Sequence, residues 1–181
     1  MFRTFLDGLY RAAGYLAGLF LLVIFGLMMG LSFGREVGIN IPDGDDFAAW
    51  SMAAMAFLGL AYTFRSGEVI RVGLLVDRLG ARARRMIELF CLVLGTGLVA
   101  YFAWYAVQMT YDSYRFNDMS QGVLGIPLWI PQLGYSVGLV IFAIAFADDL
   151  VRVISGRPPS YDKPPALTPE EVVGRAMESG F

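Results

Sequence analysis

The residues able to do chemistry in this 181-residue chain are few, and their types exclude more than they permit. Histidine is absent, which removes bis-histidine haem ligation, most zinc sites and the commonest general base. The single cysteine, Cys91, lies in an apolar run. It can form no intrachain disulfide and no Cys-x-x-Cys site, and it reads as a small buried hydrophobe. Asp43, Asp45 and Asp46 form an acidic group. A calcium loop would need more oxygen ligands at set spacing, so these carboxylates read as the solvated start of a helix, where they oppose its dipole. Asp148, Asp149 and Arg152 form a second charged group, with Arg65 and the Arg78–Arg85 cluster as candidate partners. This inventory predicts no cofactor, no metal, no catalytic residue and no substrate-binding residue, and hence no enzyme.

The elements that would position these residues follow from composition. Hydrophobic residues make up 57% of the chain, against roughly 45–50% apolar in soluble domains. Charged residues make up 17%, against roughly 25%. Mean hydropathy is +0.59. A soluble domain this small could not hide so much apolar surface. Uncharged stretches predict four membrane spans, at about residues 12–33, 47–64, 89–111 and 127–152. The expected fold is an all-α membrane protein of four transmembrane helices. Residues 1–155 form the transmembrane domain, and 156–181 a proline-rich cytoplasmic tail. The first span is too long for a signal-peptide core and has no small-x-small site after it, so it reads as a retained helix.

Orientation follows from arginine and lysine. Of the 14 basic residues, 12 fall in the N-terminus, the second loop and the tail, and 2 in the other loops. Both termini therefore belong on the cytoplasmic side. The second loop holds Arg65, Arg71, Arg78, Arg82, Arg84 and Arg85. Residues 68–88 alternate apolar and charged positions, which suits an amphipathic helix in the headgroup region. Arg78, Arg82 and Arg85 would there face anionic lipid. The competing reading is a cytoplasmic extension of spans two and three. In the tail, Thr168-Pro169-Glu170-Glu171 carries the signals of a short helix start.

No span core contains a charge, which argues against a pump or channel working alone. The polar residues within spans are Ser51, Thr63, Thr96, Gln108, Thr110, Gln132 and Ser136, and they read as helix–helix hydrogen-bonding groups. Span one carries Gly14, Gly18, Gly26, Gly30 and Gly34 at four-residue intervals, with Leu22 interrupting. Such a ridge either packs within the four-helix unit or docks another membrane protein.

Phe57-Leu58-Gly59, Arg65-Ser66-Gly67-Glu68-Val69-Ile70-Arg71-Val72 and Leu74-Leu75 resemble the small membrane subunit of tripartite ATP-independent periplasmic (TRAP) transporters. The acidic pair Asp45-Asp46 and the run Ile126-Pro127-Leu128-Trp129-Ile130-Pro131-Gln132-Leu133-Gly134 are similar to features of that family. Glu68 and Gly73 depart from it, standing where histidine and an acid are common. The resemblance covers roughly residues 10–155. It assigns Asp45, Asp46, Gly59, Arg65, Gly67, Arg71, Pro127, Trp129 and Pro131 to family motifs, beside the packing candidates Gly26 and Gly30.

The resemblance implies a scaffold in the bacterial inner membrane. It would brace a large multi-span subunit that carries the sodium and substrate sites. A periplasmic binding protein would deliver an organic acid or similar solute. Membrane lipid is a further partner, and nucleic acid is not. The alternatives are a haem-free membrane anchor of a respiratory oxidoreductase and a self-assembling small transporter. The 12-to-2 basic asymmetry predicts that a cytoplasm-active reporter works at the C-terminus and near Arg82. A periplasm-active reporter should work near Asp43 and Asn117. Periplasmic activity of a fusion after Arg157 would overturn this topology.

Overall fold

A computed structural model describes residues 2–39, 41–66 and 81–156 of the chain. Among them four long helices carry the fold: α1 (Phe2–Glu36), α2 (Gly44–Ser66), α3 (Ala81–Phe116) and α4 (Trp129–Ile154). The described residues form no strand, and one isolated antiparallel bridge joins Met119 to Pro127. Three helices are long and apolar enough to cross a membrane: Phe5–Glu36, Gly44–Ser66 and Arg85–Phe116. The fourth, α4, has 26 residues, about 39 Å of helix.

The helices lie in the order α1, α2, α4, α3 through their contacts. Helix α2 is held between α1 and α4, and α4 between α2 and α3; only a small contact joins α1 to α4. The arrangement leaves α1 and α3 as flanks. Their apolar stretches are 6% and 11% buried, against 33% for α2. Leu22, Phe25, Phe33, Phe90, Phe102 and Trp104 are all more than half exposed. In water such faces would drive aggregation; in a bilayer they face lipid.

Packing at the centre depends on close backbone approach. A Cβ at Gly138 would lie 2.6 Å from the Phe57 carbonyl carbon and 2.7 Å from the Leu58 nitrogen. A Cβ at Gly134 would lie 2.6 Å from the Ala54 Cβ. These two glycines, four residues apart, form the tight seam between α4 and α2. Toward one end of this seam Phe64 of α2 stacks on Phe146 of α4, with ring centroids 4.2 Å apart, and meets Phe142 edge-on.

Several expectations change. The ridge on α1 does not pack uniformly: Gly14 meets the Tyr62 ring, whereas a Cβ at Gly18 or Gly26 would meet nothing within 4 Å. Cys91 is exposed rather than buried, because it lies on the outward side of a flank helix. Helices run beyond the uncharged cores, since a charge near a helix end stops burial in lipid without breaking the backbone ladder. Residues 81–88 accordingly continue α3 and form no separate interfacial helix. Residues 67–80 and the expected tail helix lie outside the described residues. Helix α4 starts at Trp129 with Leu128 as its N-cap, within a residue or two of the start expected around Pro127 or Leu128. There the Leu128 amide donates to the Asp118 carbonyl, ending a small hairpin-like loop.

The seam predicts the outcome of two substitutions. Gly138→Val should lower the thermal stability of the detergent-solubilised chain by roughly 2–4 kcal/mol, because backbone atoms must separate. Gly26→Leu, into open space, should leave that stability within about 0.5 kcal/mol. Thermal unfolding followed by circular dichroism checks both.

Candidate functional site

Three polar ties hold the helix row. The first is centred on Arg65, the penultimate residue of α2. One Nη2 donates to Asp7 Oδ1 of α1 at 3.0 Å, and Nη1 donates to Asp148 Oδ2 of α4 at 3.1 Å. Nη1 also lies 3.5 Å from Asp149 Oδ1, and the Asp149 side chain is fully buried. The guanidinium sits 5.7 Å from the centre of the Tyr10 ring. One planar fork thus joins three helices, a geometry that a lysine point charge cannot reproduce. The expected pairing of Arg65 with the Asp148-Asp149 pair is present, and Asp7 is a partner that sequence reasoning missed. Asp7 lies outside the uncharged core of span one, and only the helical continuation to Phe2 brings it to Arg65.

The second tie lies at the opposite end of the helices. Asp43, just before α2, adopts a left-handed backbone with φ of 56°. Its carboxylate accepts the Val123 N–H at 2.9 Å and the Leu124 N–H at 2.7 Å. Two loops about eighty residues apart in sequence are thereby joined. Gly122 is required beside it, because a Cβ there would fall 2.5 Å from the Asp43 carboxylate. Asp43 is therefore a loop anchor, whereas Asp45 and Asp46 are exposed in the first turn of α2 as expected of solvated carboxylates.

The third tie lies within the helices, about two turns in from the Asp43 end. The Thr110 and Ser136 hydroxyls lie 2.7 Å apart between α3 and α4, and both reach the Ala106 carbonyl. Thr96 instead donates within its own helix to the Leu92 carbonyl, and Gln108 is exposed. The reading of these two as interhelical groups is corrected: on a flank helix their sides face outward or back along the backbone.

The remaining singled-out residues separate into groups. Gly59 lies 3.8 Å from the Ala17 Cβ when given a Cβ, in the α1–α2 contact. Gly30 comes within 3.9 Å of Ile41, and Gly26 meets nothing. Pro127, Trp129 and Pro131 form the entry to α4, and Trp129 packs edge-on against Tyr114 of α3. Arg85 is exposed on α3, and Arg82 lies in its first turn. Gly67, Arg71 and Arg78 lie outside the described residues. Among the described residues no group of three or more histidine, cysteine or carboxylate side chains could hold a metal ion. The arrangement joins helices; it does not gather reacting groups at mid-membrane depth.

Removing the Arg65 fork leaves Asp148 and Asp149 with less compensation in a sparsely hydrated place. Arg65→Ala should destabilise the chain by about 2–4 kcal/mol, and Arg65→Lys by less, because charge survives but the fork does not. Asp43→Ala should cost about 1 kcal/mol, since both amides are exposed and water can replace the carboxylate, with faster hydrogen exchange at Val123 and Leu124. Equal exchange in wild type and variant would remove the anchor.

Residues 24–156 of the chain match the family model described as tripartite ATP-independent periplasmic transporters, DctQ component. The match spans well over half of the chain and includes α2, α3, α4 and the C-terminal third of α1. No curated protein matches the chain in a direct sequence comparison.

Proposed function

We propose a function from one premise: this chain belongs to the DctQ component family of tripartite ATP-independent periplasmic transporters. It is a membrane-embedded transporter component, in a family of transporter parts rather than enzymes. Within such an assembly the chain acts as a scaffold. It crosses the bacterial inner membrane four times, with both termini in the cytoplasm. It braces a large multi-span subunit that carries the substrate and sodium sites. A periplasmic binding protein delivers the solute, an organic acid or a chemically similar compound.

One observation carries the scaffold reading. The side-chain hydrogen bonds that cross between elements among the described residues join α1, α2, α3, α4 and their loops, chiefly at Arg65, Asp43 and Thr110–Ser136. A carboxylate substrate or coupling ion needs convergent charges or freed backbone carbonyls at mid-membrane depth. The outward faces of α1 and α3 are instead long and apolar. On α1 the Gly18 and Gly26 positions are open to close approach by a foreign helix. The alternative of a haem-free membrane anchor of a respiratory oxidoreductase draws no support from the family match.

The docking face is tested by side chains that do not disturb this chain itself. Gly26→Leu and Gly30→Leu should reduce co-purification of the large subunit about tenfold or more, while Leu22→Ala changes it little. Because Gly26 faces open space, the variant chain should insert and accumulate normally. Equal recovery of the large subunit with all three variants would move the docking face away from this side of α1.

A further inference from the structure

We infer that the cleft between α1 and α2 beside the Arg65 fork is a binding site for the headgroup of an ethanolamine phospholipid. The cleft measures about 280 Å³ and is lined by Asp7, Tyr10, Arg11, Tyr62, Arg65 and Ser66. It lies near the charged ends of two apolar helices, the depth at which lipid headgroups sit.

The lining has polar capacity that its own residues leave unused. Asp7 and Arg11 stand four residues apart on α1, the spacing of a helical ion pair. Asp7 turns to Arg65 instead, through Oδ1 alone, and remains 48% exposed. Arg11 is exposed and forms no ion pair with any described residue. Tyr10 is 1% exposed, yet its hydroxyl has no hydrogen-bond partner among the described residues. A cation and a carboxylate oxygen thus stand about one helical turn apart with a polar floor between them.

This pattern selects among headgroups. A phosphate diester accepts from the Arg11 guanidinium, and a primary ammonium donates to the Asp7 carboxylate. Ethanolamine joins those two groups by two methylenes. Choline carries the same charge but has no N–H to donate. A glycerol headgroup offers Asp7 no cation. Exposed Tyr62 lines the cleft, and the exposed apolar residues further along α1 give acyl chains a surface that a soluble anion would not use.

The test places the whole purified chain in nanodiscs containing equal fractions of phosphatidylethanolamine, phosphatidylcholine and phosphatidylglycerol. Lipid retained after mild delipidation is counted by native mass spectrometry. Phosphatidylethanolamine should be retained about tenfold over phosphatidylcholine, the scale of one charge-assisted hydrogen bond. Arg11→Gln should lower retention of all three lipids, whose phosphates are alike, and Arg11→Lys should restore most of it, whereas Asp7→Asn should remove the preference for phosphatidylethanolamine. Soluble phosphoethanolamine and inorganic phosphate, each added at millimolar level, should fail to displace the lipid. Equal retention of the three lipids by the wild-type chain would overturn the inference. So would unchanged lipid retention in Arg11→Gln, an unchanged preference in Asp7→Asn, or full displacement by either soluble competitor, which would assign the cleft to a free anion. Arg11 is exposed and unpaired, so its variants should keep the wild-type melting temperature.

Discussion

Within a bilayer, apolar helices gain nothing from hiding from one another, because lipid is as apolar as they are. The row α1–α2–α4–α3 must therefore be held by contacts that lipid cannot imitate. The structure uses two kinds. One is backbone-close packing, concentrated where Gly134 and Gly138 of α4 meet Ala54 and the Phe57–Leu58 peptide of α2. The other is a small set of polar ties, placed toward both ends of the helices. Helix α4 takes part in nearly all of these. It receives the glycine seam, two of the Arg65 partners and Ser136, and its buried positions recur along much of its length.

The placement of charge follows the same constraint. A guanidinium and three carboxylates would be costly at mid-membrane depth. At the helix ends they are partly hydrated, and the fork contributes specificity as much as energy. Arg65 can satisfy Asp7 and Asp148 together only when α1, α2 and α4 share one axial register. Asp43 does the same work for the loops at the opposite end, where its left-handed backbone turns the carboxylate toward two amides of another loop. Register is thus fixed at both ends, and the span between needs only shape.

Much of this was legible in the residues. The charge-free runs located the helices, and the acidic pair at 148–149 pointed to Arg65. The helix ends were not legible, because hydropathy marks the depth of lipid and not the length of the backbone ladder. That is why Asp7 escaped notice and why residues 81–88 joined α3. The four-residue glycine spacing was ambiguous for a different reason. A repeat of small residues states that a helix can be approached closely, but not by what. In α4 the approaching helix is α2, whereas at Gly18 and Gly26 of α1 none of the described residues approaches. The Asp43 anchor carried a faint signal, an acid just before a helix, which a solvated N-terminus explains equally well. Its true partners are backbone amides near Gly122, and backbone amides have no signature in sequence.

A row of helices differs from a closed bundle in what it leaves over. In a closed bundle each helix turns its small residues inward, and the outer surface is uniform toward lipid. Here the two central helices use theirs for each other, and the flanks keep long apolar faces. A flexible row could not brace a moving neighbour, because each helix would slide in its own register. Pinning α1, α2 and α4 through one guanidinium couples a flank helix to the centre at one end. The Thr110–Ser136 pair couples the other flank toward the opposite end. Both flanks are therefore tied to the same central helix, α4. In the proposed bracing role, a load on either outer face would pass through these ties to that helix, because sliding would first have to break them.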